Sequence, residues 1–258
     1  MQTTAVVNQK GGVGKTATTL NVAGALAEAG AKVLVVDLDP QGHLTAALQL
    51  EPGSQPATLE AALLGAYSPD AALVRPHSER LAVLPNSIGM FTVSRELEQV
   101  RAREERLART LSSLAADYDH CLIDCPPALD ILTDNALTAA DGVLIPVQAE
   151  DSSLRALHLL LAQIQALEAE LRRPQLTLHG LVLSMVDRGT GGRPRSNVGR
   201  SVLTELDQLP LPIQATVPRG AVVTEAWRVG QPVVTYAPTS EHATVYRTLA
   251  EALDKDTA

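Results

Sequence analysis

Nine residues near the start of the chain restrict its possible folds more than any other stretch. An aliphatic run, 4–8, leads into Asn8-Gln9-Lys10-Gly11-Gly12-Val13-Gly14-Lys15-Thr16, and a stretch of helical period, 15–29, follows. Glycines between a strand and a helix let the backbone curl so that successive N–H groups point inward, making a concavity that holds anions. The helix start adds its partial positive charge to the same spot. In that setting Lys15 is placed to reach the β- and γ-phosphates of a nucleotide, and the Thr16 hydroxyl to ligate magnesium. Gly11, Gly12, Val13, Gly14, Lys15, Thr16 and Ala17 are therefore the expected phosphate-binding residues. A dinucleotide fingerprint is excluded, because no third glycine follows Gly12 and Gly14 at the required spacing.

A loop of this kind needs a parallel sheet behind it, and the rest of the chain supplies one. Short aliphatic runs at 4–8, 32–37, 81–84, 121–124, 142–147, 178–185 and 213–217 predict strands. Helical stretches are expected at 15–29, 93–117, 151–171, 197–208 and 241–253, with Gly30 closing the first and Thr133 or Asp134 opening one after Pro126-Pro127. The alternation predicts an α/β fold: one domain over 1–258, with a mostly parallel twisted sheet covered by helices on both faces. With one Trp, four Tyr and one Phe among 258 residues, the core must be Ala, Val, Ile and Leu, as sheets buried on both faces allow. The run 95–109 mixes five Arg with four Glu and reads as a solvated helix with internal ion pairs.

The net charge of −8 excludes a general attraction to nucleic acid, so any DNA contact needs a local basic patch. Cys121 and Cys125 are the only cysteines, and no His cluster completes a zinc site with them; reduced thiols in a cytoplasmic protein are expected. The apolar stretch 154–167 is interrupted by Arg155, His158, Gln163 and Gln165, too polar and too short to span a bilayer.

Two acidic segments follow strands. Asp39, in Asp37-Leu38-Asp39-Pro40-Gln41-Gly42, lies just past a strand end, where open α/β sheets bind ligands. Read alone it is as readily a turn residue, since Pro40 and Gly42 favour turns. Asp124, in Cys121-Leu122-Ile123-Asp124-Cys125-Pro126-Pro127, ends a buried strand, where an unpaired charge is costly, and so should face a metal.

Lys10-Gly11-Gly12-Val13-Gly14-Lys15-Thr16 resembles the deviant Walker A motif shared by ParA, MinD, the nitrogenase iron protein and the arsenite-pump ATPase. The two acidic segments resemble the ParA switch I and Walker A′ segments, and the likeness runs over essentially the whole chain, nearest to ParA/Soj. The resemblance implies an ATPase that binds ATP and Mg2+ and closes as an ATP-dependent homodimer. It implies that Lys10 reaches the partner's nucleotide, that Asp39 orients the attacking water beside the metal, and that Asp124 holds magnesium through a water. Relatives usually carry a second Thr where Ala17 stands, a loss worth about 1 kcal/mol of nucleotide binding. Thr18 is expected on the wrong helical face to replace it.

On the base side the guanine-reading pattern is missing, and Met185, Asp187 and Pro218 are the expected contacts. Soj-like function implies non-specific DNA binding in the ATP-bound dimer and stimulation by a ParB-like partner. It places the chain in the cytoplasm, on the nucleoid when ATP-bound, and the tail 252–258 lacks the basic face that membrane binding needs. Arg188, Arg193, Arg195, Arg200 and Arg219 are the candidate DNA contacts, four of them against one Asp between 187 and 200. Gly189, Gly191, Gly192 and Pro194 suit a plain polar loop equally well. A ParA-like switch that positions a protein complex without touching DNA is the competing reading. The metal-cluster relatives do not fit, since the cysteine pair is only four residues apart.

Overall fold

Eight short strands, most of them aliphatic, build one sheet in the computed structural model, which describes residues 1–52, 57–67, 73–171, 175–188 and 194–255. They are β1 (Gln2–Val6), β2 (Val33–Asp37), β3 (Arg75–Pro76), β4 (Leu81–Leu84), β5 (His120–Asp124), β6 (Gly142–Val147), β7 (Thr177–Val186) and β8 (Ile213–Pro218). Their order is β3-β4-β2-β5-β1-β6-β7-β8, parallel except for the short edge strand β3. The helices are α1 (Lys15–Glu28), α2 (His43–Ala47), α3 (Leu59–Leu64), α4 (Met90–Leu97), α5 (Arg106–Ser112), α6 (Ile131–Ala139), α7 (Asp151–Leu171), α8 (Asn197–Leu206), α9 (Ala221–Arg228), α10 (Val233–Tyr236) and α11 (Glu241–Lys255).

Because strand side chains alternate, each central strand feeds two cores. Leu34 and Val36 of β2 face one, with Cys121 and Ile123 of β5; Val33 and Val35 face the other, with Leu122. α1, α10 and α11 cover the second face, while α3–α8 cover the first. The register pairs Asp37 with Asp124 and Asp124 with Val6. Both acids and the loop after β1 therefore reach the same edge of the sheet, at the point where the chain order reverses.

The expected α/β class is what the chain adopts, with local differences. The strand expected at 4–8 ends at Val6, because Asn8 already turns the chain. The helix expected over 93–117 is broken into α4, a 3-10 turn (Arg103–Glu105) and α5, with Ala102 in the left-handed region at φ 48°. Between Leu97 and Leu107 the chain offers the core only the half-buried Val100, so no continuous apolar stripe holds a straight helix there. Asn135 stitches the break, donating to the Arg103 carbonyl (2.8 Å) and accepting from the Leu107 N–H (3.0 Å). The cap of α6 is Asp130 rather than Thr133 or Asp134; its carboxylate accepts from the Leu132 N–H at 3.0 Å. Gly30 does take the left-handed conformation expected of it, at φ 107°.

Helix α1 lies tightly against α10. A Cβ on Gly24 would fall 2.3 Å from Pro232 Cβ and 2.6 Å from its Cγ, and the proline ring cannot swing aside. Gly24→Ala should therefore lower stability by about 1–3 kcal/mol despite the better helix propensity of Ala. Thermal unfolding checks this: a melting temperature several degrees below wild type is expected, and an unchanged or raised one would contradict the packing.

Candidate active site

The loop between β1 and α1 is held open from both sides. Asn8 Oδ1 accepts from the Lys10 N–H (2.9 Å), and its amide donates to the Pro146 carbonyl (2.7 Å). Ser184 donates to the Val13 carbonyl at 2.6 Å, pinning the loop's far limb to β7. Gly12 and Gly14 are left-handed, at φ 75° and 87°, a conformation that glycine takes without strain. Gly14 is the N-cap of α1 and no side chain caps that end, so the first N–H groups of the helix remain available to an anion. Gly11 faces the second acidic segment, Pro127 Cβ being the nearest atom to a Cβ built on it, at 3.9 Å.

Lys15 curls back over this loop and is buried, its ammonium donating to the Lys10 carbonyl at 3.2 Å. Burial lowers its pKa, opposed by the charges of Asp124, Cys125 and Asp39 around it. The Lys10 side chain leaves in another direction. It forms an ion pair with Glu150 and donates to the Ser152 hydroxyl (2.9 Å) at the start of α7.

Three carboxylates crowd the edge below the loop. Asp124 is completely buried, and among the described residues its carboxylate has the Thr16 hydroxyl beside it and no other hydrogen-bond donor. Burial raises its pKa well above the carboxylate range; Asp37 and Asp39 add to that, while Thr16 and Lys15 oppose it. Asp37 accepts on Oδ2 from the Thr45 N–H (2.7 Å) and hydroxyl (2.6 Å), leaving Oδ1 unpartnered. Burial pushes its pKa up to about 6, with the Thr45 bonds working the other way. Asp39 is buried and accepts on Oδ1 from the Gln41 N–H (3.0 Å). Among the described residues no three His, Cys, Asp or Glu side chains converge as a ready-made metal cage. The donor set instead suits a hard cation that takes one carboxylate, the Thr16 hydroxyl, waters and phosphate oxygens, as magnesium does. The buried Asp124 carboxylate, with the Thr16 hydroxyl beside it and no other donor among the described residues, is the observation that fits it.

The Asp37 shift has a consequence for stability. Its folded pKa lies above the unfolded value near 3.8, so the folded state binds the extra proton between about pH 4 and 6. Stability from this group is full below that window and lost as pH rises through it, by on the order of 2–3 kcal/mol. Asp37→Asn should flatten that part of the stability–pH profile of the nucleotide-free protein, measured by urea unfolding at pH 4.5 and 7.5. An unaltered profile would mean that Asp37 is not the group titrating there.

A cavity of about 200 Å3 opens beside the loop, lined by Gly14, Ala17, Thr18, Met185, Pro218 and Tyr246 among others. It brings two of the three expected base-side residues next to the phosphate loop. Thr18 lines this cavity together with Ala17. Asp187 lines the adjoining cavity, also about 200 Å3, with Gln148, Glu150, Arg195 and Arg219. Met185 is left-handed at φ 53°, strained for a side-chain-bearing residue, where the pairing of β7 with β8 slips.

A protein-family model described as "AAA domain" matches residues 1–178. The sporulation initiation inhibitor protein Soj of Bacillus subtilis (strain 168) is 37% identical over 253 residues, 96% of this chain and 96% of that protein. The chain belongs to the ParA/Soj family. The chromosome partitioning protein ParA of Caulobacter vibrioides (strain NA1000 / CB15N) is 37% identical over 239 residues, 90% of this chain and 86% of its own. Among solved structures, cobyrinic acid a,c-diamide synthase from Mycobacterium smegmatis, with bound ADP and magnesium, superposes with a TM-score of 0.83 at 34% identity. That superposition covers 100% of this chain and 95% of the other. ParA/Soj membership makes this chain an ATPase-family protein, and no helix among its described residues is long and apolar enough to cross a membrane.

The candidate DNA-contacting arginines of this ParA/Soj chain are not equivalent. Arg195, Arg200 and Arg219 are exposed at the same edge of β7 and β8. Arg195 and Arg219 line one cavity, and Arg200 donates to the Arg195 carbonyl at 2.8 Å. Arg188 is half-buried, paired with Glu241 and donating to the Thr216 carbonyl at 2.9 Å. Arg193 lies outside the described residues. Sequence reasoning missed Asp37 as a member of the acidic cluster, and Glu150 and Ser152 as the holders of Lys10. The doubled acid in Asp37-Leu38-Asp39 was the available signal for the first.

Proposed function

We propose that the chain is an ATP-dependent dimerising ATPase of DNA segregation, for a chromosome or a plasmid. The backbone of Gly11–Ala17 cradles the phosphates of ATP, Lys15 contacts the β- and γ-phosphates, and the Thr16 hydroxyl ligates Mg2+. Magnesium, when bound, neutralises charge on the phosphates. Asp124 fixes that ion through water, and Asp39, beside it, orients the attacking water. Lys10 stabilises charge on the partner subunit's nucleotide as phosphoryl transfer proceeds. Met185 and Pro218 flank the base, with Asp187 at the rim, and intrinsic turnover is slow. The observation that carries this reading is the fully buried Asp124 carboxylate beside Thr16 and Lys15, under an uncapped helix start.

In the dimer the arginines at 195, 200 and 219, with 188 and 193, grip DNA phosphates without reading bases, which puts the ATP-bound form on the nucleoid. A ParB-like partner completes the hydrolytic site and triggers release. A second reading, a switch that positions a protein complex without DNA, is favoured by the acidic balance of −8 and by the Glu241 carboxylate that occupies Arg188. A gel shift on random-sequence duplex with ATP and magnesium, titrated with salt, separates the two. Retention that depends on ATP and falls steeply with salt is expected; no retention at low salt would leave the second reading standing.

A further inference from the structure

Asn86, just past β4, is buried at 6% exposure on the same sheet edge as the acidic cluster. Its side-chain amide donates to the Asp39 carbonyl at 2.7 Å, which also accepts from the Gly42 N–H at 2.9 Å. Its own N–H donates to the Thr45 hydroxyl at 2.8 Å, and that hydroxyl donates to Asp37 at 2.6 Å. One residue is therefore bonded to the Asp39 backbone directly and to Asp37 through a single hydroxyl. The turn at Gly42, left-handed at φ 64°, closes over it; a Cβ on Gly42 would lie 3.3 Å from the Asn86 amide carbon and oxygen. The next residue is anchored as well, Ser87 donating its hydroxyl to the buried Glu60.

We propose that Asn86 is the positioning residue that holds Asp39 in register for hydrolysis. Among the described residues the Asp39 carboxylate has only a local bond, to Gln41 two residues on, and that bond fixes the side chain relative to its own loop. Leu38 and Thr45 tie the two ends of the loop to β5 and β2, and the Asn86 amide, reaching across from beyond β4, is the side chain that holds the Asp39 carbonyl itself. A displacement of about 1 Å at a catalytic group can cost roughly 100-fold in rate. Asn86 lines neither the loop nor the base-side cavity, so its loss should spare nucleotide binding. The inference rests on the assignment of Asp39 to the attacking water.

The test compares Asn86→Ala, Asn86→Asp, Asp39→Ala and the double variant Asp39→Ala/Asn86→Ala. The readings are kcat, KM for ATP, ADP affinity, melting temperature, and amide exchange across 40–43 in the nucleotide-free protein. Both Asn86 variants should lose roughly 10- to 100-fold in kcat with KM and ADP affinity within about threefold of wild type. Exchange at 40–43 should quicken, and the double variant should be no slower than Asp39→Ala alone. Wild-type kcat in Asn86→Ala beside an inactive Asp39→Ala overturns the positioning role and leaves Asp39 standing. Parallel loss of kcat, ADP affinity and melting temperature makes Asn86 merely structural and also overturns it. Wild-type turnover in Asp39→Ala removes the assignment of Asp39, and the positioning role with it.

Discussion

Lys15→Ala should weaken ATP binding by about 2–5 kcal/mol, roughly 30- to several-thousand-fold, and abolish measurable hydrolysis while the protein stays folded. The ammonium is buried and, among the described residues, donates only to the Lys10 carbonyl, so its strong interactions await the phosphates. Its removal also takes away a charge opposing the raised pKa of Asp124, and that carboxyl can hold a proton instead of standing as a bare buried charge. Calorimetric titration with ATP and magnesium measures the loss, and circular dichroism checks the fold. Affinity within threefold of wild type would place the phosphates somewhere other than this loop.

Asp39→Ala should leave ATP affinity near wild type and cut turnover by roughly 100-fold or more, the usual scale for a group that prepares the nucleophile. Binding survives because the cradle is backbone, from Gly11 to the first turn of α1, and Asp39 contributes none of it. The Asp39 backbone bonds to Gly42 and Asn86 involve its carbonyl and persist in the variant, so the loop keeps its shape. Single-turnover hydrolysis separates the two effects. A drop in affinity matching the drop in rate would make Asp39 a binding group instead.

The phosphate loop and the strands behind it were legible because their signals are local. Gly12 and Gly14 sit where a left-handed backbone is needed, and runs such as Val33–Asp37 are buried throughout. The break at Ala102 was not legible, since the charged stretch 95–109 reads as a continuous solvated helix. Its ion pairs do form, Arg109 with Glu105 and Arg103 with Glu104, but they are exposed and weak beside the missing apolar stripe. Asp124 could be singled out from its strand-end position. The bonds of Asp37 to Thr45 could not, because they depend on how the loop after β2 folds back, nor could that of Asn86 to Asp39, which depends on how β2 and β4 align. Of the expected base-side residues, Met185 and Pro218 line the cavity by the loop and Asp187 lines the adjoining one, a division that depends on how β7 and β8 sit together and that no local pattern carries.

Lys10 carries the central claim, that two copies close over their nucleotides. In the single subunit it is held by Glu150 and Ser152. Sedimentation velocity of Asp39→Ala with ATP and magnesium, compared with Asp39→Ala/Lys10→Ala, tests that claim most directly. A nucleotide-dependent dimer that disappears with Lys10 is the predicted result. A monomer in both, or a dimer indifferent to Lys10, would contradict it.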